Sequence, residues 1–360
     1  MRTDTVQYIA GRALALLLCL CLLLGMTGCQ KGSDAPLSPG LSVIEGVPVY
    51  EKDVAMRTDH LTVTPGMMAY FFYSYGATVM AQMEQQKAYD SSKRLHDQMY
   101  TDTLSWYDVI MNETLAKVSD LLIYCEAAIA AGVTLSESEQ QEIADSMTAY
   151  RMQAVVERDM ELTPYLQTQY GPLMTEQDLL AVLELETLAG SYSLTVRDSL
   201  EQGITASQVR EYLDKNGPED KTPSRNIAYL FVPYVNGSAD EDTLRTVTQA
   251  MQASPTAETL LAQGEHGTPG TEENLTPDNS GIKQIGAWLF ATGRSIGDWE
   301  RIDLGGATYV LIYTGNGMSF GEVSARMALF DSAYATWYNT WVAQLQFGYN
   351  YDCLDGYDVQ

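Results

Sequence analysis

Apolar side chains recur at helical spacing from Met67 to Leu188. Residues 67–83 and 106–131 carry this pattern most clearly, and Gly132 is placed to end the second segment. Pairs of residues also show the spacing of a capping box, in which an N-cap hydroxyl precedes a carboxylate or amide by three positions. These pairs are Ser136 with Glu139, Thr175 with Asp178, and Thr205 with Gln208. The pattern predicts an all-helical region that ends near Gly217 and Pro218.

The pattern changes after Pro218. Residues 226–235 form an apolar run typical of a buried strand, and residues 240–251 predict a helix that begins with acidic residues. The remaining elements are a long surface loop at 254–280 with a short helix near 256–263, a helix at 282–290, strands at 301–303 and 308–313 joined at Gly305-Gly306, and a helix at 322–346. The elements before the last helix predict a small α+β domain of about 95 residues.

The N-terminal pattern is different from both regions. Residues 13–24 are uniformly apolar and follow Arg2 and Arg12. A bilayer-spanning helix needs about 20 apolar residues, so this shorter run predicts a signal peptide, residues 1–28. The small residues before Cys29 resemble a bacterial lipobox, which predicts lipidation of Cys29; an ordinary secretory peptide that carries a cysteine is the alternative. Residues 29–41 are rich in Gly, Pro and polar residues and predict a flexible tether.

Composition narrows the range of functions. Acidic residues outnumber basic ones by 47 to 21, and the formal net charge of -26 argues against nucleic acid and against electrostatic binding to anionic lipid. Three histidines, His60, His96 and His266, limit imidazole chemistry and any His-rich metal site. After removal of the signal peptide three cysteines remain, Cys29, Cys125 and Cys353. We therefore expect packing rather than a disulfide framework to stabilise the fold.

Residues 348–360 carry Asp352, Asp355 and Asp358. Their spacing does not reproduce a calcium-binding loop, and we expect a solvated acidic tail. The sequence also contains no GxGxxG, P-loop, HExxH or GxSxG motif. We therefore expect neither a metal nor a cofactor.

Two segments resemble a known family. Residues 44–54 (IEGVPVYEKDV) are similar to the opening element of the extracytoplasmic foldases of the SurA and PrsA class, and residues 287–314 are similar to the end of their parvulin-type domain. The resemblance implies a helical chaperone domain at 42–218, a parvulin-like insert at 224–317, and a C-terminal helix at 319–347 that returns to the helical domain. It also implies an extracytoplasmic protein that binds unfolded polypeptides.

The catalytic positions of that family are not kept. Matching the first strand places the family's first histidine on Tyr229, and matching the last strand places the second on Tyr309, or on Thr308 if positions are counted from Gly306. If Phe290 is aligned with the phenylalanine that ends the family's short helix, the pocket's Met and Phe fall on Gly281 and Ile285. The candidate pocket is thus Tyr229, Tyr309, Ile285 and Phe290. The two tyrosines either preserve a hydrogen-bonded pair or are core residues, and His266 is interpreted as a solvated loop histidine.

The apolar helix at 67–83 offers a second kind of site. Met67, Met68, Phe71 and Phe72 could form an adaptable surface for unfolded clients, and core packing is the alternative.

The leading hypothesis is a chaperone-like lipoprotein outside the cytoplasm, anchored to the membrane through the lipid on Cys29, with isomerase activity lost. One alternative is an active prolyl isomerase with a remodelled pocket. Another is a solute-binding or structural surface lipoprotein, although the long helical region does not supply the repeated strand-helix units of a solute-binding protein.

Overall fold

The computed structural model describes residues 43–85, 90, 92–216, 220–234 and 240–357. Cys29, the predicted signal peptide and the predicted tether lie outside the described residues, as does Asp358. Contacts divide the chain into two units, Met1–Ser199 with Tyr334–Gln360, and Leu200–Ala333. The helices and two four-stranded sheets confirm the α+β class.

The helices of the described residues are, in chain order, α1 Pro65–Gln85, α2 Trp106–Ala130, α3 Glu137–Arg158, α4 Leu162–Tyr170, α5 Glu176–Gly203, α6 Ala206–Asn216, α7 Glu241–Ala253, α8 Ala257–Leu261, α9 Lys283–Leu289, α10 Phe320–Gln344 and α11 Tyr351–Leu354. The strands are β1 Val47–Pro48, β2 Met56–Arg57, β3 Thr62–Val63, β4 Pro223–Pro233, β5 Thr268–Leu275, β6 Trp299–Asp303, β7 Ala307–Ser319 and β8 Gly348–Tyr349.

Local capping chemistry sets the start of several helices in the first unit. At Ser136 the side chain accepts from the backbone N–H of Glu139, whose carboxylate accepts from the backbone N–H of Ser136, as the sequence predicts. Ser105 and Asp108 make the same reciprocal pair at the start of α2. Helix α2 buries a nearly continuous apolar surface, which includes Ile110, Leu122 and Ile123 at 0% exposure.

The C-terminal tail is part of the first unit's fold. Its strand β8 lies between β1 and β2, parallel to β1 and antiparallel to β2, in the order β1-β8-β2-β3. Phe347 and Tyr349 are each 1% exposed, and Leu354 and Tyr357 are also buried. The carboxylates Asp352 and Asp355 are exposed, as expected, but the segment up to residue 357 is not a free tail, because its apolar and aromatic side chains are buried against the N-terminal strands.

The second half of α10 also belongs to the first unit. The hydroxyl group of Tyr124 on α2 donates to the hydroxyl of Tyr334 at 2.9 Å, and the rings of Tyr124 and Trp337 stack at 5.1 Å. Tyr338 donates a hydrogen bond to Asp120. Burial raises the pKa of Asp120, although the hydrogen bond from Tyr338 opposes the shift.

The second unit is an antiparallel sheet of order β5-β4-β7-β6. Its two faces form separate cores, one with α7 and α8 and the other with α9. The first core contains Leu230, Val247, Met251 and Val310, and the second contains Ile227, Ile285, Trp288 and Leu311. Because β4 is buried on both faces, its sequence is a continuous apolar run rather than an alternation.

One strand was not expected. β5 lies within residues 254–280, which the sequence analysis assigned to a surface loop with a short helix. β5 is an edge strand and its residues are mostly polar and exposed, so it lacks the apolar signal on which strand prediction depends. The loop assignment is wrong for Thr268–Leu275.

Candidate functional site

Three aromatic rings share the α9 face of the second sheet. Tyr229 on β4 and Tyr309 on β7 have ring centroids 5.6 Å apart, and Phe231 meets Tyr309 edge-to-face at 5.1 Å. In the strand register Tyr229 lies opposite Leu311 and Phe231 lies opposite Tyr309. Tyr229 and Tyr309 are therefore diagonal cross-strand neighbours, the arrangement that long aromatic side chains can bridge.

A glycine on the neighbouring strand makes room for one of these rings. Gly270 on β5 lies opposite Tyr229 on β4. A Cβ at position 270 would lie 2.5 Å from both Cζ and the hydroxyl oxygen of Tyr229, far inside contact distance. Gly270 therefore allows the Tyr229 ring to lie across β5.

The two candidates for the second position, Thr308 and Tyr309, lie on opposite faces of the sheet. Thr308 is fully buried, lies opposite Val232 on the α7 side of the sheet, and donates a hydrogen bond to Asp303 at 2.5 Å. Tyr309 lies on the α9 side with Tyr229. Of the two residues, Tyr309 is the one that shares a face with Tyr229.

Ile285 and Phe290 complete the apolar side of the cluster. Ile285 is 4% exposed in the α9 core, and Phe290 packs against the same core at the end of α9. Gly281, the position aligned with the methionine of the family's pocket, contributes no side chain to the cluster. Its φ is +64°, and a Cβ there would meet nothing within 4 Å. The four candidate residues Tyr229, Tyr309, Ile285 and Phe290 thus lie in or against one cluster.

Arg225 is a further residue of this site that the sequence did not indicate. Its guanidinium carbon lies 5.2 Å from the Phe290 ring and 5.1 Å from the Tyr313 ring, and it donates a hydrogen bond to the carbonyl of Leu289. Arg225 therefore fixes the end of α9 against β4 and β7 through cation–π contacts. No local sequence pattern marks this role, because Phe290 is 65 positions further along the chain than Arg225 by the printed numbering.

The histidines make contacts elsewhere: Nδ1 of His60 lies 2.7 Å from Glu126, and the His96 ring stacks on the Tyr107 ring with centroids 3.7 Å apart. The side chain of His266 is 24% exposed, with Nε2 3.4 Å from a carboxylate oxygen of Glu265. The cluster can offer a proline ring an apolar surface and tyrosine hydroxyls, without the histidine pair of the resembled family.

A buried carboxylate in the first unit connects a turn to a helix. Glu126 on α2 is 2% exposed and accepts hydrogen bonds from the Thr58 hydroxyl at 2.5 Å and from the His60 backbone N–H at 2.8 Å; its other oxygen lies 2.7 Å from Nδ1 of His60. Burial raises the pKa of Glu126, but these hydrogen bonds outweigh that effect and hold the pKa below its usual value. The contacts tie the turn between β2 and β3 to α2.

Comparisons with known proteins match the fold rather than the sequence. No protein family matches the chain, and no curated protein does. Among solved structures, PrsA from Bacillus subtilis is 14% identical over 68% of this chain and 89% of that chain, with a TM-score of 0.33. Foldase protein PrsA from Streptococcus pneumoniae is 14% identical over 66% of this chain and 84% of that chain, with a TM-score of 0.27. A SurA-like chaperone of Campylobacter jejuni is 8% identical over 82% of this chain and 98% of that chain, with a TM-score of 0.25. The chain is similar to these foldases and chaperones at low sequence identity, with each TM-score below 0.5.

The helical candidates for client binding lie in the interior. Met67 is 2% exposed, and Met68, Phe71 and Phe72 are each 0% exposed. These four side chains form core contacts, so the structure favours core packing over a client surface at these positions. In the described residues no group of three or more His, Cys, Asp or Glu side chains could hold a metal ion.

The first unit instead exposes other apolar side chains. On α3, Met152 is 38% exposed, Val155 60% and Val156 73%. Ile143, Met147 and Ala154 form the buried face of the same helix. At 100° per residue, the exposed group points away from this buried face, so α3 is apolar on two sides.

Proposed function

We propose that the protein is an extracytoplasmic, lipid-anchored chaperone whose helical unit binds unfolded segments of secreted polypeptides, and whose parvulin-like unit has lost isomerase activity. The observation that carries the chaperone part is the second apolar side of α3, formed by Met152, Val155 and Val156. Apolar surface that is exposed on a helix marks a site of interaction with another molecule. Unfolded polypeptides expose the apolar side chains that such a surface can cover.

The loss of isomerase activity is supported by the α9 face of the second sheet. A prolyl isomerase lowers a rotation barrier of about 18–20 kcal/mol by twisting the imide, without covalent chemistry. In this chain tyrosines occupy the positions that align with the two family histidines. Tyr229 also lies against Gly270, so its ring fills space beside the strand.

The alternative of an active isomerase has one observation in its favour. Tyr229 and Tyr309 lie together beside the buried Ile285 and Phe290, which places two hydroxyl groups next to an apolar surface. A remodelled pocket of this composition would act on the same prolyl bonds. The rate of isomerisation distinguishes the two hypotheses.

Membrane anchoring is supported by the sequence at Cys29. Cells that express the full chain in the presence of a labelled fatty acid should incorporate label into the protein. Cys29→Ser should abolish the label, while Cys21→Ser, within the predicted signal, should retain it. Label that persists in Cys29→Ser would refute lipidation at this residue.

The chaperone part is tested by suppression of aggregation. The mature chain, residues 29–360, should reduce the light scattering of a chemically denatured protein after its dilution from denaturant. Replacing Val155 and Val156 with Ser should weaken this effect because it removes exposed apolar area, whereas the exposed control Gln153→Ser should not. Undiminished suppression by the double variant would contradict the assignment of client binding to this surface of α3.

A further inference from the structure

The seam between α3 and α5 in the first unit is open to solvent. The two helices run antiparallel there: Nε of Arg151 donates to Glu176 at 2.9 Å near one end, and Glu139 bonds to Ser191 near the other. Two cavities of about 450 and 590 Å³ lie along α5. The larger one lies between α3 and α5, and the smaller one is lined by α5 together with Gln140 of α3, Ile129 at the end of α2, the loop at 133–135, Thr62 and Met67. Five residues of α3 line the two cavities, and four of these form one helical stripe beside the buried Met147: Gln140, Ala144, Thr148 and Arg151. We call the two cavities together the α3–α5 groove.

The side of α5 that lines the cavities is partly apolar and partly exposed to solvent. Leu180 lines one cavity and is 37% exposed, while Leu185 and Leu188 line the other. Among the described residues, α5 is long and apolar enough to cross a membrane by length and composition. Only 22% of its most apolar stretch of 18 residues is buried. A core helix would be mostly buried, so the exposed side of α5 has room for a further partner.

A bilayer does not suit this helix. Glu184 and Glu186 lie in the middle of α5. An acidic or basic side chain at the centre of a bilayer costs about 2.5–3.5 kcal/mol on insertion scales. A polypeptide partner can leave Glu184 in water or pair it with a cation.

The spacing of the cavities indicates what conformation the partner takes. The α5 residues that line the two cavities are offset by about seven positions, which corresponds to about 10 Å along a helix. A ligand helix presents side chains i and i+7 on one face at this same distance. Side chains on one face of a β-strand are about 7 or 13 Å apart, and neither distance matches the offset of about 10 Å between the two cavities.

Backbone chemistry also favours a helical ligand. The groove is walled mainly by the helices α3 and α5, whose backbone N–H and C=O groups are already paired, and Val133 of the adjoining loop donates its N–H to the Ala128 carbonyl. They offer no ladder of hydrogen bonds to an extended strand. A helical ligand satisfies its own backbone and needs only side-chain contacts.

Charge indicates the polar part of the ligand. Glu184 lies one helical turn from both Leu180 and Leu188, is exposed, and has no ion-pair partner within the described part of the chain. A Lys or Arg one turn after the first apolar anchor of a ligand helix would meet this carboxylate. The formal net charge of -26 repels acidic ligands and opposes the docking of a second copy of this chain.

We propose that the α3–α5 groove binds an amphipathic helical segment of a client polypeptide, with apolar anchors at i and i+7 and a basic residue between them. This proposal rests on the proposed chaperone function and names the class of segment that the helical unit captures. Segments of unfolded chains with this pattern would fold as they bind, which couples capture to helix formation.

The direct test uses a labelled alanine-rich peptide of about 16 residues with Leu at i and i+7 and Lys at i+4. Its binding to the mature chain is measured by fluorescence anisotropy. Three matched peptides move the second Leu to i+5, replace Lys with Glu, or insert Pro between the anchors. We expect each change to weaken binding by about tenfold. Equal binding of the i+5 or Pro peptide would overturn the helical pattern.

Variants of the protein locate the site. Ala144→Phe fills the groove and should weaken binding of the peptide by about tenfold. Ser138→Phe places the same ring at an exposed position of α3 outside the groove and should leave binding unchanged. Equal effects of the two variants, with both folds intact by circular dichroism, would overturn the proposal.

A second variant covers the case in which Ala144→Phe fails to fold. Glu184→Gln changes no volume and should abolish the preference for the Lys peptide over the Glu peptide, whereas Glu142→Gln, exposed on α3 outside the groove, should retain it. A retained preference in Glu184→Gln would contradict the proposed pairing. If the mature chain suppresses aggregation but shows no preference among the peptides, the groove proposal fails and the chaperone function stands. If the peptides bind as expected without suppression of aggregation, the chaperone function fails instead.

Discussion

The hydroxyl group of Tyr357 donates a hydrogen bond to the carbonyl oxygen of Pro65 at 2.9 Å. Pro65 begins α1, and Tyr357 is 3% exposed at the end of the described chain. The backbone N–H of Tyr357 donates in turn to the hydroxyl of Tyr107 on α2. The C-terminal segment therefore holds the starts of two helices together.

Tyr357→Phe should lower the free energy of unfolding by about 1 kcal/mol, because it removes a buried hydrogen bond and leaves the Pro65 carbonyl without that donor. The measurement is urea denaturation of the mature chain. Tyr351→Phe is the control, since Tyr351 is 57% exposed, and it should leave stability unchanged. Equal stability of the two variants would contradict a structural role for the tail.

Gly270→Ala should destabilise the second unit, since the new Cβ would lie 2.5 Å from the Tyr229 ring. We expect a loss of about 1–3 kcal/mol by urea denaturation. Gly306→Ala is the matched control, because a Cβ there would meet nothing within 4 Å. Combining Gly270→Ala with Tyr229→Ala should cost less than the sum of the single changes, and strict additivity would show that the ring does not lie over Gly270.

Stability should fall as pH rises toward neutrality because of Glu186. Burial raises the pKa of this carboxyl from 4.5 to about 7. The folded state therefore holds a proton that the unfolded state releases, so stability is full below about pH 4.5 and declines until about pH 7. Glu186→Gln should be more stable than the parent chain by about 1–3 kcal/mol at about pH 8, with no gain at about pH 4.5.

The pH dependence is measured by urea denaturation at both pH values. Glu184→Gln is the control on the same helix, since Glu184 is exposed, and it should show no gain at either pH. A gain for Glu186→Gln that is the same at both pH values would show that the carboxyl does not titrate in this range.

The second unit should lack prolyl isomerase activity. A protease-coupled assay with a short proline peptide should give a rate equal to the uncatalysed rate, since the positions aligned with the two histidines hold Tyr229 and Tyr309. Turnover above background that is abolished by Tyr229→Phe or Tyr309→Phe would establish the alternative of a remodelled active site. Ile302→Val, in contact with the same core, serves as a variant that keeps both hydroxyls.

The sequence predicted those features whose causes are local. The capping box of Ser136 and Glu139 needs residues three positions apart, and the structure contains it. The tail was misjudged because its partners, Val47, Pro65 and Tyr107, are far away in sequence and no composition rule links them. β5 escaped detection because an exposed edge strand carries few apolar residues.

The candidate site was predictable only in part. Alignment with the resembled family brought Tyr229, Ile285 and Phe290 to one cluster, and the choice between Thr308 and Tyr309 required the strand register. Periodicity correctly placed Met67 and Phe71 on a helix, but it could not distinguish a buried face from a client surface. The exposed apolar side of α3 became visible only once its buried side was known.

The most direct test of the central claim is the affinity of the mature chain for a permanently unfolded protein, such as a reduced and alkylated secretory protein, measured by fluorescence anisotropy. We predict saturable binding that is weakened about tenfold when Val155 and Val156 are both replaced by Ser, and no binding to the same protein in its native, disulfide-intact form. Absence of binding to the unfolded protein, or equal binding to its native form, would contradict the account.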